Sequence, residues 1–149
     1  MNRPTIIFLD LDGVVHSFGH YSTEKFVYLP RIEGVLRDFP ETCIVICSDW
    51  RKNTAWSEIL SIFADDIRPR VIGATPVFTS KDYHTGLRYA EAQAFLKDNQ
   101  LDPERWIALD DFDDNWIVDP RVIVCDDGFF DREENLLRAA LSFSPGLLR

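Results

Sequence analysis

Two aspartates one residue apart, Asp10 and Asp12, close the apolar run Ile6-Ile7-Phe8-Leu9, and Gly13 follows to let the backbone turn. Ligands of open α/β sheets gather at the carboxyl ends of strands, so two acids placed there call for a metal ion or a reaction. The competing reading is a solvated Asp-Gly turn. A second acidic set, Asp110, Asp111, Asp113 and Asp114, follows directly on another apolar run, Trp106–Leu109. Arg68, Arg70, Lys81 and Arg88 lie in the middle third of the chain and could form a local basic groove if they share a face. His16 and His20 stand close behind the first acids and read as polar surface histidines that could touch a substrate.

Elements must bring these groups together. Ile6–Leu9 has the unbroken apolar character of a strand buried on both faces. Cys43–Cys47, Trp106–Leu109 and Arg121–Cys125 read the same way, and a third strand, interrupted by Gly73, is expected between Arg70 and Val77. Between them, Ile32, Val35, Leu36 and Phe39 recur at helical spacing until Pro40 stops the pattern. Trp56, Ile59, Leu60 and Phe63 give a second helix its inward face, behind a cap at Asn53 or Thr54. Thr85 is read as the cap of a helix running to about Asn99. Asp102-Pro103 opens a short turn. Asp131 with Glu134 suggests a capping box for a last helix whose core face is Leu136, Leu137, Ala140 and Leu141. Segment 17–30, with Phe18, His20, Tyr21 and Tyr28, is expected to form a flap or short hairpin over the first strand's end, and 144–149 a frayed tail. Alternating strands and helices predict an α/β fold, a doubly wound, Rossmann-like parallel five-stranded sheet with helices on both faces.

Composition narrows the classes. At 149 residues and 46% apolar content, one globular domain spanning 1–149 is expected. A net charge of −9 argues against strong non-specific binding to nucleic acid or anionic membrane. No apolar run approaches the roughly 20 residues of a membrane span. Because the first strand begins almost at Met1, no signal peptide is expected. Cys43, Cys47 and Cys125 are odd in number and sit in apolar runs, which predicts buried free thiols and a cytoplasmic location.

Four apolar residues, then Asp10-Leu-Asp12-Gly13 and two valines, resemble the nucleophile motif of the haloacid-dehalogenase-like (HAD) phosphohydrolase superfamily. The resemblance extends from Thr5 to about Leu141 and implies strand order 5-4-1-2-3 without a large cap. It further implies that Asp10 is the nucleophile, forming an aspartyl-phosphate, and Asp12 the general acid and base. Ser48, ending the second strand, matches the hydroxyl that holds a phosphoryl oxygen. Arg88 stands where the family usually has lysine, with Lys81 as its rival. Mg²⁺ is the implied cofactor, bound by Asp10, the main-chain carbonyl of Asp12, and Asp110. Asp111 and Asp114 compete to be the second acid of that motif. Val71–Pro76, Ser48-Asp49-Trp50-Arg51 and Ala108–Asp111 are similar to the small HAD domains associated with RNA-repair proteins. Ser48-Asp49 departs from the two serines of that narrower pattern. The expected activity is a Mg²⁺-dependent phosphomonoesterase with an open site, its partner a phosphorylated small molecule or nucleic-acid end. Phosphoryl transfer to another acceptor, or phosphate and partner binding without turnover, are the alternatives.

Overall fold

The computed structural model describes residues 3–18, 24–83 and 85–143. Its centre is a five-stranded parallel sheet in the order β3-β2-β1-β4-β5, the order expected. The strands are β1 (Thr5–Leu9), β2 (Thr42–Ile46), β3 (Val71–Ala74), β4 (Trp106–Asp110) and β5 (Val122–Val124). Leu9 lies beside Ile46 on one side and Leu109 on the other, so all three central strands reach the same edge together.

Pleating divides the core into two layers. Ile7, Leu9, Ile44, Ile46 and Leu109 pack under α1 (Leu29–Asp38), α5 (Asp131–Ser142) and Ile59 of α3 (Trp56–Ser61). Ile6, Phe8, Val45, Trp106 and Ala108 face α4 (Leu87–Asp98) through Ala92, Phe95 and Leu96. Burial on both faces is why the central strands carry no polar alternation.

Several local expectations are corrected. A short helix not expected from the sequence, α2 (Trp50–Asn53), ends at Thr54, whose backbone turns extended, and the expected second helix, α3, starts at Trp56 behind Ala55 instead of Asn53 or Thr54. This rotates Trp56 outward, where it is exposed instead of inward-facing. The cap of α4 is Gly86, not Thr85, with φ +73. For α5, Glu133 Oε1 accepts the Phe130 N–H at 2.9 Å, while Asp131 and Glu134 bind Arg31 of α1. Leu136 is exposed, leaving Leu137 as the buried leucine of that face. Strand β3 lies within the expected Arg70–Val77, starting at Val71 because Arg70 belongs to a 3-10 turn, Arg68–Arg70, that precedes it. Helix α1 begins at Leu29, before the expected end of the flap. His20 and Tyr21 of that flap, and the tail from 144, lie outside the described residues. All three cysteines are free thiols, with Cys47 and Cys125 buried and Cys43 half-buried.

Candidate active site

Asp10 and Asp110 leave the carboxyl ends of neighbouring central strands, and this placement forces two acids into the interior. Both are nearly inaccessible. Asp111, the next residue after β4, joins them: one carboxylate oxygen from each of Asp10, Asp110 and Asp111 lies within 4.8 Å of the others. At that spacing, and an effective dielectric constant of about 20, each charged pair repels by about 3 kcal/mol. A proton or a cation must offset this.

The structure supplies part of that offset from α4. Arg88 Nη1 donates to Asp110 Oδ2 at 2.6 Å and lies 3.2 Å from Asp10 Oδ2. Its Nη2 is 3.6 Å from Asp49. The buried residues of α4 are Arg88, Glu91, Ala92, Phe95 and Leu96, at i, i+3, i+4, i+7 and i+8. Arg88 therefore occupies the first position of the inward stripe, and that periodicity distinguishes it from a solvated arginine. Lys81 sits exposed in the 3-10 turn Ser80–Asp82.

Asp110 is held tightly. Oδ1 accepts the Phe112 N–H at 3.0 Å, and Oδ2 accepts the indole N–H of Trp116 at 2.9 Å as well as Arg88. For Asp10, Oδ1 accepts the Leu11 N–H at 2.9 Å. Burial, reinforced by the charge of Asp110 and opposed by Arg88, pushes the Asp10 carboxyl up to about 8. Burial likewise raises Asp111 above the usual carboxylate range. Burial and the neighbouring acids thus favour the protonated form of Asp10.

Gly13 explains how Asp111 fits. Its φ is +80, and a Cβ there would fall 2.2 Å from Asp111 Oδ2. Only glycine lets the β1 turn pass beneath that carboxylate. Asp114 points elsewhere: it is exposed in the 3-10 turn Asp113–Asn115, and its main-chain carbonyl accepts the Gly86 N–H at 2.8 Å.

The second strand contributes a buried hydroxyl and an arginine staple. Ser48 is buried at the same edge, its Oγ accepting the Trp50 N–H at 3.2 Å. Arg51 is buried and donates to the carbonyls of Cys47, Ser48, Thr75 and Pro76 at 3.0–3.1 Å. It also pairs with Glu91 at 2.9 Å. One guanidinium thereby ties the ends of β2 and β3 to α4 and fixes the turn that bears Ser48.

Asp12 stands apart from the cluster, partly exposed, between two rings. Its Oδ1 is 2.7 Å from His16 Nε2, and its Oδ2 accepts the Trp50 indole N–H at 3.0 Å. His16 is 2% exposed, which corrects its reading as a surface histidine. The indole contacts of Trp50 with Asp12 and of Trp116 with Asp110 were missed by sequence reasoning. The only trace was their proximity in the chain to acids already singled out.

Oxygen donors alone suit a hard divalent cation such as Mg²⁺, and the pocket that Gly13 keeps open leaves Asp111 within the group. A cavity of about 900 Å³ lies instead at the opposite edge, between Thr5, Trp106 and Phe143. It contains none of the clustered acids, so its size carries no weight for the chemistry.

Residues 6–133 match the family described as the HAD domain in Swiss Army Knife RNA repair proteins. The chain belongs to that family. The match runs from β1 through the start of α5 and so includes every residue of the acid cluster. No curated protein sequence is significantly similar to it. As a HAD domain it has the superfamily's parallel α/β core in a small form, with no cap among the described residues. Among the described residues no helix is long and apolar enough to cross a membrane.

Proposed function

We propose that this HAD domain is a Mg²⁺-dependent phosphomonoesterase working through an aspartyl-phosphate. One observation carries the reading: Asp10, Asp110 and Asp111 converge with Arg88 at the carboxyl edge of β1 and β4, and Asp12 follows two residues after Asp10. A binding module would not need a second acid placed at that turn.

In the first step an Asp10 carboxylate oxygen attacks phosphorus while the bond from phosphorus to the leaving oxygen breaks. Asp12 gives its proton to that oxygen, releasing the alcohol. Asp12 then takes a proton from water as the water oxygen attacks phosphorus, the Asp10–phosphorus link breaks, and inorganic phosphate leaves. Arg88 orients Asp10 and offsets charge on the phosphoryl oxygens, and Ser48 offers its hydroxyl to one of them. Mg²⁺ would be held by Asp10, Asp110 and the Asp12 main-chain carbonyl, with Asp111 beside them, and would supply positive charge for the phosphoryl group.

The family description mentions RNA repair, so substrates include phosphorylated nucleic-acid ends alongside small phosphoesters. Three free thiols favour a reducing, cytoplasmic setting. Phosphate release should be measured with Mg²⁺ on sugar phosphates, nucleotides and 3′- or 5′-phosphorylated oligonucleotides. Asp10→Asn and metal chelation should each abolish it; turnover that survives either one rules out this mechanism. Loss of substrate phosphate without release of inorganic phosphate would instead identify transfer to another acceptor.

A further inference from the structure

The carboxylate of Asp12 is gripped at both ends. Trp50 Nε1–H donates to Oδ2 at 3.0 Å, and His16 Nε2 meets Oδ1 at 2.7 Å. The other ring nitrogen, His16 Nδ1, accepts the backbone N–H of Phe26 at 3.2 Å. These partners assign the tautomer. With the proton on Nδ1, two donors would face each other at Phe26, and a lone pair would face the carboxylate at Asp12. Placing the proton on Nε2 satisfies both contacts at once.

Phe26 makes this possible through an uncommon backbone. Its φ is +63, a conformation that costs a bulky side chain about 1–2 kcal/mol. Strain of this kind persists where the surroundings over-determine it. Here the Phe26 ring closes on His16 and Trp50 at centroid distances of 5.4 and 5.7 Å, and His16 meets Trp50 at 5.9 Å. The Tyr28 N–H, two residues on, donates to the Val15 carbonyl at 2.9 Å and pins the segment to the first turn.

We propose that His16 and Trp50 are positioning residues that lock the Asp12 carboxylate in the orientation from which it exchanges protons with the phosphoester. The backbone N–H of Phe26 sets the lock. The proposal rests on the reading of Asp12 as acid and base. A partly exposed aspartate otherwise turns freely about two torsions, and misplacing a reacting group by about 1 Å can cost 10²-fold. Two ring N–H donors remove that freedom while the side chain keeps 39% of its exposure for proton exchange.

The test compares esters that differ in their need for a proton. An alkyl phosphate such as glycerol phosphate needs its leaving oxygen protonated, whereas p-nitrophenyl phosphate does not. Trp50→Phe, which keeps the ring and removes the donor, and His16→Leu should lower kcat on the alkyl ester by about tenfold to hundredfold, with KM near wild type. On the aryl ester the first-turnover burst of p-nitrophenol, which needs no acid, should fall by less than about threefold, whereas the later hydrolysis step, which uses Asp12 as base, slows for both esters. His16→Gln carries an amide N–H near the position of Nε2 and should recover part of the loss. Equal losses in the first, alcohol-releasing turnover on both esters, or none on the alkyl ester, would overturn the proposal. Asp12→Asn separates the two readings. If it destroys alkyl-ester turnover while Trp50→Phe and His16→Leu do not, only the lock fails. If it too is harmless, the acid-base role falls and the lock with it. A ¹⁵N NMR measurement reports on the lock without turnover. His16 should appear as the neutral Nε2–H tautomer, and Asp12→Ala should shift the Trp50 indole N–H resonance. An Nδ1–H tautomer or an unmoved indole signal would also overturn it.

Discussion

Arg88 shows what one side chain does at this site. Its Nη1 meets both Asp10 and Asp110 while Nη2 lies 3.6 Å from Asp49, a forked reach toward three acids that a single ammonium does not reproduce. Arg88→Ala should lower kcat by about 10²-fold, as expected for a lost electrostatic partner in a buried site. Arg88→Lys should recover only part of that, and Lys81→Ala should stay near wild type. Steady-state kinetics of the three variants decide the matter: collapse in Lys81→Ala beside an intact Arg88→Ala would move the cationic role to the loop before α4. Asp10, Asp12 and Asp110 were legible in the sequence because each sits at, or within three residues of, the end of an apolar strand, where chain position translates directly into position at the sheet edge. Arg88 was named through the family resemblance alone; its place on the buried stripe of α4 comes from the structure. The Trp50 contact was not legible, because its bond to Asp12 spans 38 residues and depends on how the β2 turn folds back. The choice between Asp111 and Asp114 was equally hidden, since it depends on the space above Gly13.

Turns carry the site between these side chains and the layers beneath them. Gly13 combines a left-handed φ with a missing Cβ that would strike Asp111. Gly13→Ala should therefore destabilise by about 1 kcal/mol or more and blunt the thermal response to Mg²⁺. Gly34, in the middle of α1, has nothing within 4 Å of where an added methyl would sit, so Gly34→Ala should gain about 0.5–1 kcal/mol. Chemical denaturation of both variants checks the contrast; a neutral Gly13→Ala would mean that the turn relaxes. The central strands were readable from their apolar runs, whereas the ends of short elements were not. The extra helix α2, and the cap of α4 at Gly86, follow from backbone geometry at one or two residues that composition does not encode.

For the whole molecule, the raised Asp10 carboxyl ties stability to pH. Its folded value of about 8 lies above its ordinary value of 3.8, so within that window the native state holds more protons than the unfolded chain. Its stabilising contribution is fully present below about pH 4 and is lost as pH rises toward about 8. Without metal, Tm should fall across that window relative to Asp10→Asn, which cannot titrate there. Millimolar Mg²⁺ should flatten the wild-type profile by replacing protons with a cation; at a hundredfold excess over Kd a ligand adds about 2.7 kcal/mol. Asp110→Asn should weaken this response. Parallel Tm profiles for wild type and Asp10→Asn would show that Asp10 does not carry the linkage.

The position of β1 has one more consequence, for the order in which the molecule is made. Ile6 pairs with Trp106, so the strand that delivers Asp10 needs a neighbour one hundred residues downstream. Translation produces the turn that bears Asp10 before the rest of this domain, yet its sheet cannot close until β4 has left the ribosome. Until then an apolar strand has only β2 beside it, a situation that favours slow folding and exposes an edge to other chains. Stalled nascent chains should become protease-resistant only after β4 emerges, and resistance appearing with β2 alone would place the folding nucleus in the amino-terminal half.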